Sequence, residues 1–431
     1  MTTPEAQDAP GEGHERLLRD PSAVATLDGL RAGLGGRIRE RPEDFLVEEI
    51  PLFRPSGRGD HTIAQIEKRA TSTFDALLFL SKTCKVSERV IGYAGLKDAR
   101  AVARQFVSLP KVSPQRVLAA NHRKFRVLSA ARNEKPLRIG QLRGNRFTIK
   151  IRGCDLSRVE EARSVLETIV RRGMPNAYGG QRYGTRLDGH LLGRAVVRED
   201  WKDFIDQLLG RPSPLEMNPH MVEARKAYDA GDLQSAFDTF PMKHRTEKKA
   251  AGILLRGGSP REAFDALGGG PRRIWVSAWQ SYLFNRVLDR RVRDGTFDRL
   301  LEGDIAWLHE SSASYPVRDE AAEARHARSG RASPTGPLLG FDPPRASGEP
   351  GALEQAILDA DGATPEAFEA RHCRARGLRR PLRVPVEEAS LDVEDDDVVV
   401  TRFVLPPGAF ATVVLEHLMS GADADDVRAG E

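Results

Sequence analysis

The stretch from Val398 to Leu418, VVVTRFVLPPGAFATVVLEHL, decides how the two ends of this fold are arranged. The run 398–405 alternates with the period of a strand, and the PPG sequence at 406–408 turns the chain. A final helix is predicted by the apolar stripe Phe410, Val413, Val414 and Leu418. A strand and a helix this short have no core of their own, so they must pack on an earlier part of the chain.

The preceding chain mixes short strands with helices, which predicts an α+β fold from about Arg37 onward. Alternation in PEDFLVEEI puts Phe45, Val47 and Glu49 on one face of a strand. Ser72 or Thr73 can cap a helix that ends at Cys84. The side chains of Phe74, Leu77, Leu78 and Ser81 are spaced to lie on one face of that helix.

Two segments lack such periodicity. Residues 1–35 are rich in Ala, Gly, Pro and Asp, which predicts a flexible arm. Residues 309–351 are rich in Ser, Pro, Gly and Arg, which predicts irregular loops.

The composition is that of an ordinary globular chain. Its 431 residues are 40% hydrophobic and 30% charged, long enough for two or three domains of roughly 150 residues each. The three cysteines, Cys84, Cys154 and Cys373, are far apart and form no C-x-x-C pair, so neither a disulfide framework nor a thiolate zinc site is indicated. The polar N-terminus and the lack of a long apolar run predict a cytoplasmic protein without membrane contact.

Charge is distributed unevenly along the chain. Residues 81–150 contain 17 Lys and Arg against three acids, a local net charge of +14, whereas the whole chain carries only +4. Seven acids between Glu387 and Asp397 offset part of this excess. The asymmetry favours a nucleic-acid-binding face, although a run of cations can also simply coat a solvated surface.

Common catalytic motifs are missing from the sequence. It contains no H-E-x-x-H, no G-x-x-x-x-G-K-[ST] and no G-x-S-x-G. The sequence therefore has none of the usual motifs for zinc hydrolysis, P-loop phosphoryl transfer or serine hydrolase chemistry. We therefore expect no metal ion and no nucleotide cofactor.

A single carboxylate stands in the basic stretch 92–100, GYAGLKDAR. Small residues around it leave the backbone open to a ligand, and the flanking Lys97 and Arg100 would favour the ionised form of Asp98. An ionised aspartate can act as a nucleophile or a base without a metal. Asp98 could equally cap a turn or the helix-like ARAVARQ that follows, and residue chemistry alone leaves both readings open.

Two further segments suggest RNA recognition. Strand alternation puts Asn145 and Phe147 on one face, where an amide could bind a base edge and a ring could stack on the base. Phe147 could instead be a core residue. In NAYGGQRYGTR, from residue 176, Gln181, Arg182 and Arg186 could reach phosphates or bases, or the glycines could simply form a hinge.

Several blocks together resemble the TruD group of tRNA pseudouridine synthases. They extend through most of the chain in a compatible order: PEDFLVEEI (42–50), GRGDH (57–61), YAGLKDARAVARQ (93–105), LRGNRFTIKIR (142–152), NAYGGQRYG (176–184), WVSAWQSYLFN (275–285), SPTGP (333–337) and FVLPPGAFATVVL (403–415).

The resemblance implies a fold and a set of site residues. Asp98 is implied as the catalytic aspartate, with Phe147 stacking on the target uracil beside Asn145. A basic residue before PEDF is implied near the site, and here it is Arg39 where the bacterial pattern has Lys. We further expect Lys97 and Arg182 to contact substrate. The implied fold is a pseudouridine-synthase catalytic domain with a mixed, mainly antiparallel sheet, formed by 36–175 and 383–431, plus an inserted α/β TRUD domain at 176–382.

The implied function is isomerisation of uridine to pseudouridine in tRNA, at uridine 13 by resemblance. The reaction would depend on an aspartate and need no cofactor, and the protein is expected to act as a monomer. The main alternative is a non-catalytic RNA-binding protein that retains the fold, and a weaker one is a metal-free RNA nuclease. Release of tritium from uracil C5 would indicate the synthase, and cleavage fragments would indicate the nuclease.

Overall fold

The structure, a computed structural model, describes residues 20–419 of the chain. Its strands are β1 (Gly35–Arg37), β2 (Phe45–Pro51), β3 (His61–Arg69), β4 (Gly92–Tyr93), β5 (Val102–Pro110), β6 (Phe125–Asn133), β7 (Leu142–Cys154), β8 (Met174–Pro175), β9 (Ile305–Leu308), β10 (Ala313–Pro316), β11 (Ala332–Leu338), β12 (Leu378–Pro381), β13 (Arg383–Val384), β14 (Glu387–Asp395) and β15 (Val398–Leu405). Its α-helices are α1 (Thr73–Cys84), α2 (Pro114–Leu118), α3 (Val159–Arg172), α4 (Gly189–Val197), α5 (Trp201–Leu209), α6 (Pro219–Asp229), α7 (Leu233–Thr239), α8 (Arg245–Leu255), α9 (Pro260–Ala266), α10 (Gly269–Arg293), α11 (Glu320–Arg328), α12 (Gly348–Ala360) and α13 (Ala411–Met419).

The described chain divides into two compact units. We call residues 29–174 together with 384–419 the sheet unit, and residues 20–28 together with 175–383 the middle unit. The assignment of catalytic and inserted domains to 36–175 with 383–431 and to 176–382 stays a prediction.

The sheet unit is built on a nine-stranded sheet. Its main order is β14-β15-β7-β2-β5-β3-β6, with β1 added beside β7 and β4 beside β5. Only β2 and β5 run parallel, and the other strand pairs described in this sheet are antiparallel. The predicted α+β class with a mixed, mainly antiparallel sheet is therefore confirmed.

The closing segment packs on the early strands, as its lack of a core predicts. β15 pairs with β7 along its whole length, from Val398 opposite Arg152 to Leu405 opposite Asn145. Helix α13 follows the turn and buries most of its apolar side chains. The first strands and the last strand thus form one sheet although more than 200 residues separate them in sequence.

Helix α1 begins where predicted but buries a different face. Ser72 caps it, because its side chain accepts a hydrogen bond from the Asp75 backbone N–H. Phe74 and Leu78 are 52% and 40% exposed, and of the four side chains expected on one face only Leu77 is buried. The buried side chains recur at helical spacing from the N-terminal residue of the helix: Thr73, Ala76, Leu77, Leu80 and Cys84. The buried face therefore includes the polar Thr73 at the start of the helix.

The middle unit is organised around the 25-residue helix α10. Helix α4 crosses it closely at Gly193, where a Cβ atom would lie 2.0 Å from the carbonyl oxygen of Trp275. An antiparallel sheet in the order β10-β9-β11-β12 completes this unit. No helix within residues 20–419 is long and apolar enough to cross a bilayer.

The prediction of irregular loops at 309–351 was wrong. This segment contains β10, α11, β11 and the start of α12, and Asp319 caps α11 through its side chain. β11 contains Pro334 and Pro337 yet lies inside the sheet. It pairs with β9 only over 332–334 and with β12 only over 335–338, so each half of the strand has one neighbour.

The predicted flexible arm lies partly outside the described residues, which begin at residue 20. Within the described part, Leu27, Ala32 and Leu34 are buried. The backbone N–H groups of Ala32 and Leu34 donate to carbonyl oxygens of helix α13. The end of this segment is therefore packed in the sheet unit.

Candidate active site

Strand register brings the candidate residues to one face of the sheet. Directly paired residues point to the same side, and the side alternates along each strand. One row across β3, β5, β2, β7 and β15 is Lys68, Ala103, Val47, Phe147 and Phe403. The next row on the same face is Ile66, Gln105, Glu49, Asn145 and Leu405. We call this the site face.

Asp98 lies in the loop between β4 and β5 and is held through both carboxylate oxygens. The backbone N–H of Arg100 donates to Oδ1 at 2.7 Å, and the Arg39 guanidinium contacts Oδ2 at 2.7 Å. Asp98 therefore does cap a turn, but its second oxygen is in an ion pair and its side chain remains 15% exposed. The helix-like segment after it begins a strand at Val102 rather than a helix.

Arg39 connects Asp98 to the aromatic part of the site face. Its guanidinium lies over the Phe45 ring, 4.2 Å from the ring centroid, and its side chain is 5% exposed. The Arg39 backbone has φ of 59°, the left-handed region that costs energy for a residue with a Cβ. The bend after β1 thus directs this side chain toward both Phe45 and Asp98.

Phe147 is part of an aromatic cluster. Its ring meets Phe45 edge-on at 6.1 Å between centroids and Phe403 at 5.5 Å, and the residue is 7% exposed. The core interpretation therefore describes the packing of Phe147 in this structure. Asn145 lies on the same face, as predicted, and its buried Oδ1 has no hydrogen-bond partner within residues 20–419.

Lys97 forms a buried ion pair. Its Nζ lies 2.6 Å from Oε2 of Glu49, and the two side chains are 4% and 1% exposed. The Lys97 backbone N–H donates to the Thr73 hydroxyl, which donates to Oε1 of Gln105. The other amide atom of Gln105, Nε2, is buried without a hydrogen-bond partner among the described residues. Substrate binding by Lys97 stays a prediction, although its ammonium is paired with Glu49.

Lys68 lies beside Asp98 but was not predicted from the sequence to be a site residue. It is 0% exposed, and its Nζ donates to the backbone carbonyls of Asp98 at 2.5 Å and Thr71 at 2.8 Å. Burial lowers the pKa of Lys68 to about 8, the Asp98 charge opposes that shift and Lys97 adds to it. The strand pattern could have predicted that Lys68 is buried, because Lys68 continues the alternation of Thr62, Ala64 and Ile66 in β3.

Many cations of the basic stretch 81–150 are paired with acids. Six of them form ion pairs: Lys97, Arg104, Arg126, Arg143, Arg146 and Lys150. The partners of the last three are Glu387, Glu388 and Glu394, from the acidic run near the C-terminus. Exposed cations without a carboxylate partner in the described chain include Arg100, Arg123, Lys124, Lys135 and Arg138. Exposed cations of this kind are available to a polyanion without breaking an existing ion pair.

Arg182, in the middle unit, is held by helix α10. Its Nε donates to the Ser281 hydroxyl at 3.0 Å, a second guanidinium nitrogen donates to Ser277, and the group lies 5.3 Å from the Tyr178 ring centroid. Substrate contact by Arg182 therefore stays a prediction. The nearby Arg186 is paired with Asp188 at 2.9 Å.

Comparison with known proteins identifies the family. The family model described as tRNA pseudouridine synthase D (TruD) matches residues 30–418. The chain belongs to the TruD family. The predicted family and the predicted enzyme class, an isomerase of the tRNA pseudouridine synthase type, are thereby confirmed.

Similar proteins cover nearly the whole chain. A tRNA pseudouridine synthase D of Geobacter sulfurreducens is 45% identical over 408 residues, which are 94% of this chain and 98% of the relative. One from Geobacter metallireducens is 42% identical over 395 residues, 91% of this chain and 97% of the relative. A crystal structure of a provisionally assigned tRNA pseudouridine synthase D from Methanosarcina mazei superposes with a TM-score of 0.78 at 28% identity, covering 94% of this chain and 98% of that one.

Proposed function

We propose that this member of the TruD family converts uridine 13 of tRNA into pseudouridine, with the Asp98 carboxylate acting on the sugar of the target nucleotide. One observation carries the assignment of the site. Arg39 contacts Asp98 at 2.7 Å and also covers Phe45, whose ring meets Phe147. A carboxylate, a fixed guanidinium and an aromatic surface therefore belong to one connected arrangement.

The reaction needs no oxidant and no energy source. The N1 to C1′ bond of uridine breaks, the uracil turns and C5 bonds to C1′. The proton then leaves C5 for solvent and N1 takes up a proton from solvent, so the product is an isomer of the substrate. Asp98 would either attack C1′ or remove the 2′ proton to give a glycal-like intermediate. Oδ1 of Asp98 accepts one backbone hydrogen bond and keeps further acceptor capacity for the substrate, whereas Oδ2 is buried against Arg39. Both routes stay open.

The target nucleotide must leave its stack before Asp98 can reach its sugar, at a cost of a few kcal/mol. Stacking against the aromatic cluster at Phe147 would offset part of that cost. Two buried amide atoms on the site face, Oδ1 of Asn145 and Nε2 of Gln105, have no hydrogen-bond partner among residues 20–419. One is an acceptor and the other a donor, which suits the N3–H and carbonyl groups of uracil.

The phosphates of tRNA would bind the exposed, unpaired cations rather than the whole basic stretch. Arg100 is two residues from Asp98, and Arg123 and Lys124 lie in the turn before β6. Phosphate contacts supply affinity without reading the base sequence. Recognition of uridine would therefore come from the site face, and binding of tRNA from these cations.

The test is tritium release from tRNA labelled at uracil C5, followed by mapping of the modified position. The proposal expects release from a transcript with uridine 13 and none above background when that base alone is changed to cytidine. Equal release from both transcripts would refute uridine 13 as the target. Binding without any release would favour a non-catalytic RNA-binding protein, and RNA fragments on a gel would favour a nuclease.

A further inference from the structure

Lys68 is a buried charged group for which the mechanism above has no use. Every other buried ammonium or guanidinium beside the Asp98 loop (residues 94–101) has a carboxylate partner, as Lys97 has Glu49 and Arg39 has Asp98. Within residues 20–419 no carboxylate lies within ion-pair distance of Lys68, and its Nζ donates only to backbone carbonyls.

This arrangement does not serve packing. Lys68 faces Ala103 on β5 and Phe125 on β6, which are both apolar and buried. An apolar side chain of similar length would fill the same space without removing an ammonium group from water. Burying the Lys68 ammonium therefore costs free energy. The groups that offset this cost are the two backbone carbonyls and the nearby Asp98 charge.

The two carbonyls belong to segments that frame the candidate active site. One is that of Asp98 itself, at 2.5 Å, and the other is that of Thr71, just before the cap of α1. The adjoining residue of the loop is fixed independently, because the Lys97 backbone N–H donates to the Thr73 hydroxyl. Two successive residues of the loop are thus anchored through their backbones to the start of α1.

We propose that Lys68 is a positioning residue for Asp98: its ammonium fixes the backbone at Asp98, so that the carboxylate keeps its place beside Arg39, and it supplies a positive charge on the protein side of that carboxylate. The inference rests on the proposed catalytic role of Asp98. Lys68 does not touch substrate, so its removal changes the rate of the chemical step and leaves tRNA affinity unchanged.

If Lys68 has this role, its titration should make the reaction rate depend on pH. Its pKa of about 8 follows from burial, with Asp98 raising it and Lys97 lowering it, and these two are the charged groups that act on it. Above that pH the ammonium loses its proton and with it the positive charge beside Asp98, while the neutral amine keeps two hydrogens for the two carbonyls. The single-turnover rate of pseudouridine formation therefore falls as the pH rises through about 8.

The test compares Lys68→Met and Lys68→Arg with the unaltered protein and with Lys226→Met, which replaces an exposed lysine of α6 outside the basic stretch 81–150. We expect Lys68→Met to bind tRNA within about threefold of the unaltered affinity while its single-turnover rate falls by about a hundredfold, the loss typical of a misplaced catalytic group. Lys68→Arg should recover part of the rate, because arginine stays charged, and its alkaline fall should disappear below about pH 9.5. Lys226→Met should resemble the unaltered protein in every respect.

Ionisation of uracil in the substrate affects all variants alike, so a difference between the pH profiles belongs to Lys68. An unchanged rate in Lys68→Met, or an identical alkaline fall in Lys68→Arg, would overturn the proposal. If Lys68→Met does not fold, the profiles of the unaltered protein and Lys68→Arg decide the question alone. Absence of tritium release from the unaltered protein would instead refute the proposed function itself.

Discussion

The two faces of the central sheet differ in what their charges do, although both are formed by the same strands. On the site face, Glu49 and Lys97 form a buried pair and Lys68 is buried against backbone carbonyls. On the opposite face, Arg104 bridges Glu48 and Glu67, and Arg146 and Lys150 of β7 pair with acids of β14. Alternation along a strand therefore separates residues that act at the site from residues that neutralise one another at the surface.

This difference shows that a high density of cations in sequence does not by itself mark an RNA-binding surface. Exposed ion pairs contribute roughly 0.2–1 kcal/mol each, whereas removing one partner of a buried pair costs about 3–5 kcal/mol. Substitutions that break the buried pair on the site face should therefore cost more stability than substitutions that break exposed pairs on the opposite face.

The largest effect is expected from Arg39→Gln, which removes the cation between Asp98 and Phe45. Because the guanidinium contacts both residues, kcat/KM for pseudouridine formation should fall by about a hundredfold to a thousandfold. Arg39→Lys retains the charge and should stay within about tenfold of the unaltered protein. A loss of equal size in both variants would mean that geometry rather than charge matters at this position.

Breaking the buried pair should destabilise the sheet unit. Glu49→Gln leaves the Lys97 ammonium buried without its carboxylate, so the free energy of unfolding should fall by about 3 kcal/mol. Arg146→Gln, which breaks the exposed pair with Glu388, should change it by less than about 1 kcal/mol. Chemical denaturation measures both. Similar values for the two variants would remove the energetic distinction between the faces.

Phe147 and Phe403 offer a matched pair on the site face. They lie opposite each other in β7 and β15, with 7% and 0% exposure. Phe147→Leu should lower turnover by about tenfold through lost stacking on the uracil, whereas Phe403→Leu should lower only the thermal midpoint. Turnover losses that simply follow the stability losses in both variants would support the core interpretation of Phe147.

The smallest effect concerns bulk tRNA binding. Replacing Arg123 and Lys124 by Gln removes two exposed, unpaired cations, so the slope of log affinity against log salt should fall by about 1.4–1.8. Replacing Arg104 and Arg126, which are paired with acids, should leave the slope nearly unchanged. Equal slope changes would mean that the ion pairs open when RNA binds.

Much of this arrangement could be predicted because it depends on local patterns. Alternation predicted that Asn145 and Phe147 share a face, and the lack of an independent core predicted that β15 and α13 join the early strands. The α+β class followed from the order of short strands and helices. Asp98 could be singled out because it is the one acid in a basic loop without bulky neighbours.

The remaining features depend on contacts between distant segments. The pairing of β7 cations with acids of β14 requires β15 to lie between those strands in a particular register, which no local pattern specifies. Arg39 reaches Asp98 through a left-handed bend at a residue type that seldom adopts one. β11 has one neighbour for each half, so it tolerates prolines that argue against a strand.

The most direct test of the central claim is tritium release from C5-labelled tRNA by Asp98→Asn beside the unaltered protein. Asparagine preserves the size of the side chain but can neither attack C1′ nor remove the 2′ proton. The account predicts that Asp98→Asn binds tRNA with unchanged affinity and releases no tritium above background. Release by Asp98→Asn within about tenfold of the unaltered rate would contradict a role for this carboxylate in the chemical step.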